Sequence, residues 1–316
     1  MTESKRGVLA LLVACTVWGL SPLYYKLLAH IPPLEVLAHR TLWSCAFFAL
    51  VLAGQGRLGQ LRGVFRSWRV VGVIVFAAVM ISVNWFVFIL SIQVGHAVEA
   101  SLGYYIFPLV AVLIGVVVFK ESLSPLQILA VALALGAVLV LTLGLGVAPW
   151  IALILSVTFG LYGLVKKRLS VGPVVSVTAE VLLLSPIALL VLLWEWQQGV
   201  PVLGYSLSDS LLLMFSGVLT GAPLILFSAA TKRVSMATVG LIQYLNPTLQ
   251  FLCAVLVFAE PFGQWHAIAF AMIWTALAIY SFAALVQDRA SRRVSITAEG
   301  VSTTVRNASR DGSAKP

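Results

Sequence analysis

Hydrophobic residues fall into ten long runs along this 316-residue chain, and short stretches that carry glycine, proline, serine or charge separate them. A helix needs about 20 apolar residues to cross roughly 30 Å of hydrocarbon. The pattern therefore predicts an all-α integral membrane protein with ten transmembrane helices. The predicted spans are residues 7–28, 36–54, 69–90, 98–118, 125–143, 149–166, 174–194, 210–231, 237–258 and 263–286.

The composition agrees with a membrane protein, because 61% of the residues are hydrophobic and only 10% are charged. A soluble domain carries about 25% charged residues. One water-soluble globule cannot bury this much apolar surface, so the lipid bilayer is the expected solvent. The net charge of +9 does not indicate a nucleic-acid partner, since the basic residues lie in short loops and form no continuous patch.

The basic residues also orient the chain, because cytoplasmic loops retain Lys and Arg. With the N-terminus in the cytoplasm, 18 of the 20 Lys and Arg residues fall on the cytoplasmic side and none falls in an outer loop. The other two, Lys26 and Arg40, lie inside predicted spans. We therefore expect a multi-pass protein of the inner (plasma) membrane with both termini in the cytoplasm. Residues 287–316 lack hydrophobic periodicity and are predicted to form a disordered cytoplasmic tail.

The two halves of the chain resemble each other at an offset of 139 residues. Tyr105, Pro108 and Glu121 recur as Tyr244, Pro247 and Glu260, with matching apolar positions between them. Each half would hold five spans, and because five is odd, the second half would cross the membrane in the opposite orientation. Inverted repeats are typical of secondary transporters, whose substrate site lies near the midplane between the halves. Duplication without transport is the structural alternative.

Several motifs resemble a known family. They are Val17-Trp18-Gly19-Leu20-Ser21-Pro22, the run from Glu35 to Ser44, Asn84-Trp85, the run from Glu99 to Tyr105 with Pro108, and the run from Gly240 to Tyr244 with Pro247-Thr248. Together they are similar to the RarD-type, chloramphenicol-sensitivity branch of the EamA family, in the drug/metabolite transporter superfamily. The resemblance implies a permease with two EamA-type five-helix repeats, at residues 7–143 and 149–286. Phe107 stands where an Asn is expected, which argues against a side-chain amide contacting substrate there.

Charged residues inside a membrane span are costly and call for a reason. Lys26 and Arg40 are both predicted in the outer half of the membrane, where two cations would suit an acidic group on a substrate. The structural alternative is that Lys26 reaches the interface and that Arg40 pairs with Glu35 or Glu99.

Two titratable residues are candidates for proton coupling. His39 precedes Arg40 and titrates near neutral pH, although a packed histidine is the alternative. Glu180 is the deepest carboxylate in the predicted spans, and it is either a proton carrier or a neutral or paired structural residue. We place His39 in the candidate substrate site and treat Glu180 as the proton-coupling candidate.

Aromatic and amide side chains complete the candidate site. An apolar cavity with a few hydrogen-bonding groups is the usual form of a small-molecule site. The alternatives are that the aromatic residues form interfacial belts and that the polar ones join helices. The residues assigned to the substrate site on this basis are Trp18, Asn84, Trp85, Tyr105, Gln243, Tyr244 and Asn246.

The leading functional interpretation is a secondary transporter that works by alternating access and carries a small metabolite or drug-like molecule, with or without an acidic group. The sequence contains no P-loop, and its histidines and cysteines show no metal-ligand spacing, so no cofactor and no metal are expected. A membrane-embedded enzyme is the main alternative, and a receptor or structural membrane protein is the third. The sequence leaves open the substrate, the direction of transport, the coupling and the oligomeric state.

The distribution of basic residues generates a topology prediction. Reporter fusions placed after Asp209 and after Val286 should give opposite readouts, because the first site would be extracytoplasmic and the second cytoplasmic. A cytoplasmic and a periplasmic reporter, used as a pair at each site, provide the control. The same readout at both sites would contradict the ten-span topology.

Overall fold

The computed structural model describes residues 2–120, 123–166, 169–199, 203–283 and 286, and all regular structure in this part of the chain is helical. The predicted tail, residues 287–316, lies outside the described residues, as does Glu121 of the repeat motif. The helices are α1 (Glu3–Leu27), α2 (Pro33–Gly54), α3 (Gly59–Phe65), α4 (Trp68–Gln93), α5 (Ala97–Phe119), α6 (Pro125–Leu145), α7 (Trp150–Lys166), α8 (Pro173–Gln197), α9 (Leu207–Thr231), α10 (Met236–Gln243), α11 (Leu245–Leu252) and α12 (Gln264–Ala283).

The predicted membrane helices are confirmed. Nine helical segments in the described part of the chain are long and apolar enough to cross a membrane, and α7 is a shorter apolar helix at the place of the sixth predicted span. The ninth predicted span consists of α10, α11 and a π-helical turn, Cys253–Val257. The loop predicted between the second and third spans contains the short helix α3, which the hydrophobic pattern does not indicate because it is too short to cross a membrane.

Proline and capping side chains fix where the helices begin. Pro33 and Pro173 start α2 and α8, where the missing N–H has no intrahelical partner to lose. Ser124 precedes Pro125 and forms a capping box with Gln127, in which each side chain accepts a hydrogen bond from the other residue's backbone N–H. These signals set the short connections between successive spans.

The break between α10 and α11 also has a proline as its cause. Pro247 lacks a backbone N–H, and its ring would clash with the carbonyl of Gln243 four residues earlier in a regular helix. The helix accordingly ends at Gln243, and a new one begins at Leu245 after Tyr244. This break places Gln243, Tyr244 and Asn246 beside the interior of the bundle.

Close contacts between helices depend on small residues, as is usual in membrane proteins. At Gly217 of α9, a Cβ atom would lie 2.5 Å from the carbonyl carbon of Trp43 and 2.9 Å from the backbone nitrogen of Ser44 on α2. Neither backbone atom can move without displacing the helix. Gly217 therefore sets the spacing of α2 and α9, the two helices that hold the cation described below.

Replacing Gly217 should destabilise the protein. Gly217→Ala would push α2 and α9 apart, and overpacking of this kind costs about 1–3 kcal/mol, so the melting temperature should fall. Gly72→Ala is the matched control, since Gly72 also lies within a helix and a Cβ there meets nothing within 4 Å. Equal melting temperatures for the two variants would contradict the close packing of α2 against α9.

Candidate functional site

A cavity of about 540 Å³ lies at the centre of the bundle, and all the long helices except α6 contribute to its wall. Most of the wall is apolar and much of it is aromatic. Six of the rings belong to Trp18, Tyr25, Trp85, Phe107, Phe159 and Tyr244. A cavity of this size with few polar groups fits a small, largely apolar organic molecule.

The cavity extends to one end of the bundle. We call the end with the α7–α8 connection the inner end, and the end with the α1–α2 connection the outer end. The lining includes the last residue of α7, Lys166, the first residue of α8, Pro173, and the last residue of α9, Thr231. All three lie at the inner end. The cavity is therefore accessible from that end in this conformation.

Contacts between the two halves hold the outer end together. The Glu260 carboxylate accepts hydrogen bonds from the backbone N–H groups of Ala97 and Val98, each 2.8 Å long, at the N-terminus of α5. An anion is favourable there because the helix dipole is positive at that end. His30 of the α1–α2 connection also lies 3.1 Å from Asp209 at the start of α9. These polar contacts join the two halves of the chain at the outer end.

Arg40 provides a positive charge in the cavity wall. Its Nε donates a hydrogen bond to Thr220 Oγ1 at 3.0 Å, and its guanidinium carbon lies 4.1 Å from the centre of the Trp85 ring. The residue is 8% exposed and lines the cavity. Among the described residues no carboxylate forms an ion pair with Arg40. The guanidinium group is thus held by the Trp85 and Tyr25 rings and the Thr220 hydroxyl group, and none of the described carboxylates neutralises its charge.

Arg40 does not form the ion pair with Glu35 or Glu99 that the structural alternative predicts. Glu99 interacts with His96 at 2.9 Å, and Glu35 has no hydrogen-bond donor on either carboxylate oxygen among the described residues. Neither acidic group neutralises Arg40. Its charge faces the cavity.

Asn84 joins three helices at the cavity wall. Its Nδ2 donates to the Leu155 carbonyl at 2.9 Å and to Thr158 Oγ1 at 3.1 Å, while the Tyr104 hydroxyl donates to Asn84 Oδ1 at 2.8 Å. Its hydrogen-bonding groups are therefore used to connect α4, α5 and α7. Asn84 lines the cavity, but its amide group joins the helices of the wall to one another.

Lys166 and Glu180 form a second charged group near the inner end. Lys166 Nζ lies 2.5 Å from Glu180 Oε1 and 2.6 Å from Ser176 Oγ, and the Tyr162 hydroxyl donates to Glu180 Oε2 at 3.1 Å. Glu180 is 1% exposed, whereas Lys166 and Tyr162 line the cavity. Both carboxylate oxygens thus have hydrogen-bond donors, and Glu180 positions Lys166 at the wall. Proton coupling through Glu180 stays a prediction.

The structure brings seven of the ten predicted substrate-site residues to one cavity. They are Trp18, Arg40, Asn84, Trp85, Gln243, Tyr244 and Asn246. Lys26, His39 and Tyr105 are not among the lining residues. Lys26 is exposed and lies over the Phe258 ring, His39 is buried in α2, and the Tyr105 hydroxyl lies 2.7 Å from Thr248 Oγ1. His39 differs from Arg40 because neighbouring side chains on a helix point about 100° apart around its axis, so that only Arg40 reaches the cavity.

Sequence reasoning missed several residues of the wall. Lys166 counts among the basic residues on the cytoplasmic side, at the end of the predicted span 149–166, and no role in the site is predicted for it. In the structure it ends α7, and its Nζ lies 2.5 Å from Glu180 Oε1. Phe107 contributes a ring that lies 4.8 Å from Phe159, so an aromatic surface occupies the place where an amide was expected. Thr220 gave no signal in the sequence. Among the described residues no group of three or more His, Cys, Asp or Glu residues is placed to hold a metal ion.

Comparison with known proteins identifies the family. The model of the EamA-like transporter family matches residues 5–143 and 147–282. An uncharacterized transporter, YojE, of Bacillus subtilis (strain 168) is 40% identical over 294 residues, which is 92% of this chain and 98% of that protein. A protein RarD of Streptomyces exfoliatus is 42% identical over 291 residues, 92% of each chain. The resemblance to the RarD-type branch is therefore confirmed.

A solved structure shares the fold. It is described only as a crystal structure of a protein, and it aligns with a TM-score of 0.57 at 20% sequence identity over 88% of this chain and 97% of its own. The helical architecture, the family match over most of the chain and the transporter names of the relatives agree with one another. The chain is a multi-pass membrane protein and belongs to the EamA-like transporter family.

Proposed function

We propose that this protein is a secondary transporter that carries a small, largely apolar molecule with an acidic group through the central cavity. The observation that carries the proposal is Arg40, a buried cation that lines the cavity and forms no ion pair with the described residues. Aromatic rings on the wall supply contact area for the rest of the substrate. A carboxylate on the substrate would accept hydrogen bonds from the guanidinium N–H groups that face the cavity.

The charge balance supports an acidic substrate over a neutral or basic one. Arg40 and Lys166 both line the cavity, and Glu180 neutralises only Lys166. A basic substrate would be repelled by Arg40, and a neutral substrate would leave its charge uncompensated in an apolar interior. An anionic substrate neutralises Arg40 when it binds, and the uncompensated charge of the empty cavity is then relieved. This gain adds to the binding free energy of an anion but not to that of a neutral molecule.

Alternating access is the mechanism proposed for this cavity. We propose that the halves, residues 7–143 and 149–286, are inverted five-helix repeats with the cavity between them. The inner end is accessible and polar contacts hold the outer end, which is the arrangement of a transporter open to one side. With both termini in the cytoplasm, the inner end would face the cytoplasm of a cell whose inner membrane contains the protein.

A ligand screen tests this proposal directly. The melting temperature of the purified full-length protein is measured with metabolites, amino acids and amphenicol drugs, and each acid is paired with its primary amide. Acids should stabilise the protein more than their amides, because only the acids neutralise Arg40. Stabilisation by amides alone, or by basic compounds, would contradict an acidic substrate. Chemical conversion of a stabilising compound would favour a membrane-embedded enzyme.

Substitutions of Arg40 should lower affinity for the acid that the screen identifies. Arg40→Ala removes charge and hydrogen bonds, and a hydrogen bond to a charged group contributes roughly 1.5–3 kcal/mol, so affinity should fall about tenfold or more. Arg40→Lys keeps the charge but loses the planar fork, and its loss should be smaller. Isothermal titration of the acid measures both.

Arg69→Ala is the control for Arg40, since Arg69 is exposed and lies at the inner end of α4, outside the cavity wall. Its affinity for the acid should equal that of the wild type. Wild-type affinity in Arg40→Ala would remove Arg40 from the binding site.

The Lys166–Glu180 pair generates a separate stability prediction. Removing one partner of a buried ion pair leaves an uncompensated charge and costs about 3–5 kcal/mol, with less expected here because Lys166 is partly exposed. Lys166→Met should therefore lower the melting temperature, and Lys166→Met combined with Glu180→Gln should restore most of the loss. Failure of the second change to restore it would show that Lys166 stabilises the fold by packing and not by neutralising Glu180.

A further inference from the structure

Glu35 is a buried carboxyl group that the proposed transport cycle does not yet use. It lies in the first turn of α2, it is 0% exposed, and neither of its oxygens has a hydrogen-bond partner among the described residues. An ionised carboxylate in such surroundings would lack both water and hydrogen-bond donors. Burial therefore favours the neutral, protonated form of Glu35.

The packing of α2 against α8 places a second carboxyl group next to Glu35. Ala38 of α2 packs with Ala188 and Leu192 of α8. The two helices run in opposite directions, so a step of one turn towards the outer end leads from Ala38 to Glu35 and from Leu192 to Glu195. Glu195 is 8% exposed, and its Oε2 has no hydrogen-bond partner among the described residues.

The ion pairs that Arg6, His30, His96, Lys166 and Arg233 form are with other carboxyl groups. On α2 itself, Arg40 faces the cavity over Trp85, and His39 is buried one turn beyond Glu35. The α9 helix contributes Asp209, which interacts with His30. The outer half of α4, residues 82–93, has no titratable side chain. Glu195 of α8 is thus the acidic neighbour of Glu35 across the contact between α2 and α8.

We propose that Glu35 and Glu195 form a proton-binding site at the outer end of the α2–α8 contact. Two adjacent carboxyl groups away from water cannot both be ionised, so the pair holds at least one proton while the helices touch. When the outer ends separate, water reaches the carboxyl groups and the proton leaves to solvent. A proton taken up from the outer side therefore favours closure of that side.

The position of the pair makes it suitable for coupling to the transport cycle. Pro33 and Pro173 begin α2 and α8 at matching places in the two halves, so the helices are partners across the proposed repeat. Opening the outer end would part α2 from α8 where Glu35 and Glu195 meet. In this respect the inference rests on the proposed function, whereas the proton site itself depends only on the packing.

The proton site is tested by the melting temperature of the full-length protein between pH 5 and pH 8. The neutral pair of the folded state would ionise on unfolding, so stability should be greatest at low pH and decline as pH rises. We expect Glu35→Gln with Glu195→Gln to abolish a decline of about 3 °C or more and to melt above the wild type at pH 8. Each single variant should show a smaller decline than the wild type.

Two controls separate this pair from other carboxyl groups. Glu3→Gln changes an exposed carboxylate, and Glu180→Gln changes a buried one whose oxygens both have donors. Both variants should keep the wild-type dependence on pH. The proposal is overturned if the double variant declines in parallel with the wild type, or if Glu180→Gln removes the decline.

This measurement needs no substrate, which keeps the two proposals distinguishable. If no acid binds or crosses the membrane but the double variant loses its pH dependence, the proposed function fails and the proton site stands. If acids are transported but the double variant keeps the wild-type pH dependence, the proton site fails and the proposed function stands.

Discussion

The arrangement of the bundle depends on one constraint: the positive charge of Arg40 lies in an apolar interior, and no carboxylate in the described part of the chain forms an ion pair with it. Arg40 is stabilised by the Trp85 ring and by Thr220, and such contacts to a desolvated cation contribute on the order of 2 kcal/mol. They do not replace the water that the guanidinium group would have outside. The cavity beside it provides room for water or for an anionic substrate. In the proposed function, Arg40 is the group that would favour an acidic ligand in this cavity.

Several structural features keep this charge in place. Gly217 lets α9 approach α2 closely, so that Thr220 reaches Arg40 Nε. Asn84 ties α4 to α5 and α7, which holds the helix that presents Trp85. Pro247 breaks the ninth span and turns Gln243 and Tyr244 towards the same space. Each feature is a local consequence of one residue type, and together they place the residues around Arg40 on both halves of the chain.

The sequence predicts the helices well because membrane helices have strong signals. Twenty apolar residues and a proline or glycine at each end leave few alternatives, and the alternation of basic loops gives the count. The short helix α3 and the break at Tyr244 were missed, since hydrophobicity does not distinguish a continuous span from two shorter helices. The rotation of each helix is also absent from the hydropathy signal. For this reason Arg40 was assigned to the cavity together with Lys26 and His39, whereas the structure places only Arg40 there.

Residues that act in pairs were hardest to find from the sequence. Glu35 and Glu195 lie on helices far apart in the chain, and each alone resembles an ordinary residue at a membrane boundary. Lys166 resembles a loop lysine until its distance to Glu180 is known. Pairing depends on which helix faces lie against each other, and the glycine contacts and helix crossings that determine this are tertiary properties.

The most direct test of the account is flux of an identified organic acid into liposomes that contain the purified protein. The rate should rise with acid concentration and saturate, because each protein molecule binds the acid in one cavity. Arg40→Ala should reduce the rate, because it removes the charge that binds the acid. The central claim is contradicted if the acid binds to the protein but enters these liposomes no faster than protein-free ones.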